Sequence, residues 1–133
     1  MKTLVRFGKF NVAGALGIAV QLSVLWTLAD VLSVNYLVAT FAAVLSAVAH
    51  NFLWHWRWTW ADRALPLSSL PAAFLRFATA NGLVSMTGNL VIMAGLVGVL
   101  QTPPLAASLI AIAACGLINF QLADRIVFRP TIS

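Results

Sequence analysis

Four apolar runs, each long enough to cross a bilayer as a helix, dominate the sequence and leave almost no room for anything else. They cover Phe10–Leu32, Tyr36–Trp56, Phe77–Leu100 and Pro104–Ala123. Crossing ~30 Å of hydrocarbon takes about 20 residues of helix. Lipid offers no partner to an unpaired backbone group, so each run must be helical. The reading is an all-α membrane protein. Only 8% of its residues are charged and its mean hydropathy is +0.96. A soluble domain carries roughly 25% charged residues, so this surface is made for lipid rather than water. The run starting at Phe10 is too long for a signal-peptide core and reads as the first span.

The breaks are short. Asp30 to Asn35 forms one tight turn and Gln101-Thr102-Pro103-Pro104 another, where prolines suit a helix start. Trp58 to Pro71 is a longer connector with Asp62, Arg63, Pro66 and Pro71. All eight basic residues avoid the two tight turns. Lys2, Arg6 and Lys9 precede the first span; Arg57, Arg63 and Arg76 lie in or beside the central connector; Arg125 and Arg129 follow the last span. The positive-inside rule then places both termini and the connector in the cytoplasm. The net charge of +5 is thus a topology signal, and nucleic acid is not an expected partner. Anionic membrane lipids are.

The chain also repeats itself. Asn51-Phe52 recurs as Asn119-Phe120, 68 residues on, and at the same offset Arg57 matches Arg125, Trp60 matches Phe128, Gly14 matches Gly82 and Gln21 matches Asn89. Arg6-Phe7 recurs as Arg76-Phe77 with a small slip. The expected organisation is a single transmembrane domain over residues 1–133, with one repeat at about 6–60 and a second at about 76–128. Each repeat holds two spans, so the repeats run parallel about an axis normal to the membrane.

Polar residues inside the spans are few and uncharged. Asn51 and Asn119 lie six residues before Arg57 and Arg125, about 9 Å along a helix. Arginine's planar donors can engage two phosphate oxygens, so Arg57 and Arg125, with Arg6 and Arg76, are the candidate phosphate ligands. Asn51, Asn119, Gln21, Asn89 and His50 are the candidate contacts for a polar, uncharged group deeper in. The competing readings are plain ones: interfacial arginines anchor helix ends, and amides bridge helices. Thr40, Ala43, Ala47 and Asn51 make a small-residue stripe on one helical face, repeated by Ser108, Ala111, Cys115 and Asn119. Such a stripe lets backbones approach closely; its functional version brings the two stripes together near the axis. Trp54, Trp56, Trp58 and Trp60 read as an interfacial aromatic belt. Cys115 is the lone cysteine, a packing residue. No nucleophile–base pair, paired carboxylates, phosphate loop or metal cluster stands out, so neither an enzyme nor a cofactor or metal is expected.

The span ends carry a resemblance. They read Asn51-Phe52-Leu53-Trp54-His55-Trp56-Arg57-Trp58-Thr59-Trp60 and Asn119-Phe120-Gln121-Leu122-Ala123-Asp124-Arg125-Ile126-Val127-Phe128. With the four-span layout and the Arg-Phe starts, this doubled N-F-x-x-N-R-x-W-x-F-like pattern resembles the GtrA-like family of small bacterial membrane proteins. His55 and Ala123 stand where the family has Asn, and Trp60 where it has Phe. The resemblance implies flipping of a polyprenyl-phosphate-linked sugar across the bacterial inner membrane, for cell-surface polysaccharide synthesis. Two alternatives remain open. One is a membrane anchor or partner of a glycosyltransferase that moves nothing. The other is a small multidrug exporter, against which the absence of a carboxylate within the spans argues. Two units about an axis also admit a homodimer.

Overall fold

The structure is a computed structural model that describes residues 2–63 and 65–129. Four long helices and no strand occur among them. Helix α1 spans Lys2–Trp26 and continues as a π-helical turn, Thr27–Val31. Helix α2 spans Tyr36–Trp54 and ends in a second π-helical turn, His55–Thr59. After a short 3-10 turn at Leu67–Ser69, α3 covers Leu70–Met93 and passes into a π-helical segment, Ala94–Val99. Helix α4 spans Pro104–Leu122, followed by a π-helical turn at Ala123–Val127. All four are long and apolar enough to cross a membrane.

The helices overrun the apolar runs at their basic ends. Helix α1 starts at Lys2 rather than Phe10, and α3 at Leu70 rather than Phe77. The stretches Lys2–Lys9 and Leu70–Arg76 hold strong helix formers whose long side chains let a helix continue from hydrocarbon into the head groups. Pro71 sits in the first turn of α3, where its missing N–H costs nothing.

The two tight turns share one construction. Ser33 and Gln101 adopt left-handed backbone, φ 53° and 55°. Val34 N–H donates to the Leu28 carbonyl and Thr102 N–H to the Leu96 carbonyl, both at 2.8 Å. This closure, reaching six residues back, satisfies carbonyls that a helix end leaves open. Asn35 then caps α2, its Oδ1 accepting from Leu37 N–H at 3.0 Å.

The chain forms two compact units, Met1–Leu65 and Pro66–Ser133. In the first, α1 packs on α2 through small residues: Ala13 and Gly17 are buried on one side, Ala39, Ala43 and Ala47 on the other. In the second, α3 packs on α4, with Ala107, Ala111 and Cys115 buried. The small-residue stripe thus forms the seam of each hairpin. Its register is Ala39, Ala43 and Ala47; Thr40, expected on that face, is exposed, and Ser108 is only half-buried. Close backbones gain dispersion contacts, which is how helices associate where lipid competes for apolar surface.

Candidate functional site

The two motif asparagines lie on the hairpin seams. Asn51 projects from α2 over Gly17 of α1. A Cβ placed on Gly17 would come within 2.7 Å of Asn51 Cγ and Nδ2, so only glycine leaves this space. His50 Nδ1 lies 3.2 Å from Asn51 Oδ1 and, protonated there, donates to it. Gln21, one turn beyond Gly17 on α1, is half-buried.

The second hairpin solves the same place differently. Ser85 stands 68 residues after Gly17, and Asn119 Nδ2 donates to its Oγ at 3.0 Å. Asn89 Nδ2 donates to the Ser85 carbonyl at 2.7 Å. The Asn119 Oδ1 is buried with no hydrogen-bond partner among the described residues. A buried amide oxygen is an acceptor awaiting a donor, from a water or a hydroxyl-bearing ligand. Below it, Cys115 Sγ donates weakly to the Val84 carbonyl at 3.8 Å. Gly88 makes room for that sulfur: a Cβ there would lie 2.5 Å from it.

The π-helical ends of α2 and α4 carry the doubled motif. Trp60 N–H donates to the His55 carbonyl and Phe128 N–H to the Ala123 carbonyl, both at 2.8 Å. A π-helical turn holds more residues per turn than an α-helix and so re-aims the side chains that follow it. Trp60 and Phe128 turn inward and are fully buried. This corrects the expectation that Trp60 belongs to the interfacial belt; Trp54 is exposed and Trp56 and Trp58 are half-buried, as a belt requires. The inward turn is stabilised by rings. His55 stacks on Phe10 (centroids 4.6 Å apart, planes at 10°), and Trp60 meets both edge-on, at 5.5 Å and 6.1 Å. His55 Nδ1 also sits 3.1 Å from Thr59 Oγ1. In the second hairpin Phe77 takes Phe128 edge-on at 6.5 Å.

The candidate arginines divide. Arg57 is exposed, its guanidinium 5.3 Å from the Trp56 ring centroid. Arg76 and Arg125 are also exposed. Arg6 is only partly exposed and is ion-paired through Nη2 with Asp62 Oδ2. Partial burial raises the Asp62 pKa, but the Arg6 hydrogen bond and charge outweigh it and hold the carboxyl below its ordinary value. Lys9 Nζ donates to the Trp58 carbonyl at 3.3 Å and lies 5.4 Å from that ring's centroid. Neither Asp62 nor Lys9 was marked as a site residue by sequence. The pairing spans 56 positions and only the fold brings it together. No three His, Cys, Asp or Glu side chains gather into a metal-binding group among the described residues.

Four membrane-length helices, with basic groups at their ends and uncharged amides on their seams, define a small multi-span membrane protein. The family model of the GtrA/DPMS transmembrane domain matches residues 9–129, and the chain belongs to that family. No individual curated protein matches it significantly.

Proposed function

We propose that the protein flips a polyprenyl-phosphate-linked sugar across the bacterial inner membrane, supplying cell-surface polysaccharide synthesis. The observation that carries this reading is the family membership, which extends over nearly the whole chain. In it the two hairpins are parallel repeats, with both termini and the connector cytoplasmic. The shared 68-residue offset of α2 and α4, and of their π-helical ends, supports the repeat. The position of every basic residue supports the topology.

The chemistry of the side chains agrees. The exposed guanidiniums of Arg57, Arg76 and Arg125 lie at the basic ends of the helices, where a lipid phosphate would sit. The amides of Asn51, Asn89, Asn119 and Gln21 offer neutral donors and acceptors, the kind a sugar's hydroxyls use. The buried Asn119 Oδ1 is the one that most needs such a donor. Apolar outer faces suit the prenyl tail. We read the chain as a carrier rather than an enzyme.

The test is a variant series in proteoliposomes loaded with a polyprenyl-phosphate-linked sugar. Arg57→Gln with Arg125→Gln should reduce the sugar exposed to an impermeant reagent at least about tenfold, as for lost hydrogen bonds to charge. Asn51→Ala with Asn119→Ala should do the same while phosphate binding persists. Full activity in both folded double variants would contradict the reading. Activity that appears only when a glycosyltransferase is co-reconstituted would favour the anchoring role instead.

A further inference from the structure

The first hairpin carries a groove beside the end of the first copy of the doubled motif. It lies between the start of α1 and the end of the α2 π-helical turn, with a volume of about 420 Å³. Lys2, Arg6 and Lys9 line one wall, and Trp58, Thr59 and Asp62 the other. On α1 these cations lie three or four residues apart, and so on one helical face. The second hairpin keeps only part of the feature: Arg6 has its counterpart in Arg76, but in that slipped register Ala72 and Thr79 stand for Lys2 and Lys9, and Ile126 stands for Trp58. The cluster as a whole is therefore not part of what the shared architecture requires.

We propose that this groove binds the phosphate of a lipid, and that the Asp62 carboxylate holds the phosphate's place on Arg6 until the lipid arrives. The inference deepens the lipid-phosphate reading above and rests on it for the ligand class. Three cations face one carboxylate, so the groove keeps a surplus of positive charge even with the ion pair made. A carboxylate and a phosphate offer a guanidinium the same pair of acceptor oxygens. The pair is held at a surface, the Asp62 side chain being 57% exposed, where such bonds are weak and exchangeable. Lys9, held over the Trp58 ring by its bond to the Trp58 carbonyl, stands ready as a second cation. Trp58 and Val5 supply apolar wall for the first carbons of the chain attached to the phosphate. The groove thereby adds to the first hairpin a phosphate site beyond the arginines at the helix ends.

The test uses the full chain in phosphatidylcholine nanodiscs, titrated with farnesyl phosphate, with bound lipid counted by native mass spectrometry. Arg6→Gln and Lys9→Gln should each weaken binding about tenfold or more. Asp62→Asn should tighten it about two- to fivefold, the worth of an exposed pair. A gain in affinity cannot come from misfolding, so this variant keeps the idea refutable if the others unfold. Arg129→Gln, at a cation that is not in the groove lining, controls for charge alone. Equal weakening by Arg6→Gln and Arg129→Gln, or no gain from Asp62→Asn, overturns the groove site. Inorganic phosphate competing as well as farnesyl phosphate overturns the lipid assignment. Each of these failures leaves sugar flipping by the wild-type protein, measured separately, intact.

Discussion

Gly17→Ala isolates the contact on which the first hairpin seam depends. The added Cβ would lie 2.7 Å from Asn51 Cγ and Nδ2, and nearer still to Oδ1. Carbon atoms rest at ~3.5–4.0 Å, so the overlap is about 1 Å. Either Asn51 swings away and gives up its 3.2 Å contact with His50, worth about 1 kcal/mol, or the helices separate and lose packing along the seam. Overpacking of this kind costs about 1–3 kcal/mol. Gly14, three residues earlier, has nothing within 4 Å of its own added Cβ, so Gly14→Ala should cost no stability. The assay is equilibrium unfolding in mixed micelles, titrated with denaturing detergent and followed by circular dichroism. Adding Asn51→Ala to Gly17→Ala should recover at least about 1 kcal/mol relative to the sum of the single losses. Equal stability of the Gly14 and Gly17 variants, or strict additivity of the pair, would refute the close approach of these helices.

Three further outcomes follow from the same geometry. Trp60→Ala and Phe128→Ala, each emptying a fully buried site, should each lower stability by about 3–5 kcal/mol in the same unfolding assay, far more than Trp54→Ala at an exposed position. Ser85→Ala removes the acceptor for Asn119 and should cost about 0.6 kcal/mol, the average for hydrogen bonds between membrane helices, with about 1.7 as the upper end. The Arg6–Asp62 pair makes stability pH-dependent in a defined direction. Its carboxyl is held below the ordinary value, so its contribution is full above that value and lost as pH falls through the depressed one. Wild type should exceed Asp62→Asn by no more than about 1 kcal/mol near neutral pH, and the two unfolding curves should converge in acid.

Much of the fold was legible because hydrophobic length is a direct consequence of bilayer thickness. The four spans and the two tight turns came from runs and breaks alone. Helix starts were less legible, since the charges of Lys2, Arg6 and Lys9 in one stretch, and Pro71 and Arg76 in the other, interrupt the apolar runs although both stretches are helical. Thr40 and Ala39 are both small, so spacing could not say which sits on the seam; the crossing of α1 and α2 decides it. The repeat drew attention to Gly14, yet Gly17 is the glycine that a neighbour requires. Which of two glycines three residues apart faces Asn51 depends on helix crossing, not on composition. Trp60 looked like its belt neighbours, and only the π-helical turn, with Phe10 and His55 closing over it, turned it inward. Arg6 was marked as a phosphate ligand from its charge, but its engagement by Asp62 is a tertiary fact. Asn51 and Asn119 stood out as amides within spans, and both lie on the seams.

The central claim is that this chain by itself carries a lipid-linked sugar across a bilayer. The most direct measurement places the purified wild-type protein alone in sealed proteoliposomes with a polyprenyl-phosphate-linked, labelled sugar confined to one leaflet. The label reaching an impermeant reagent on the other side is followed over time. The account predicts a rate that rises in proportion to protein and exceeds that of protein-free vesicles. A rate equal to that of empty vesicles, with correctly folded protein and across several sugars, would contradict it.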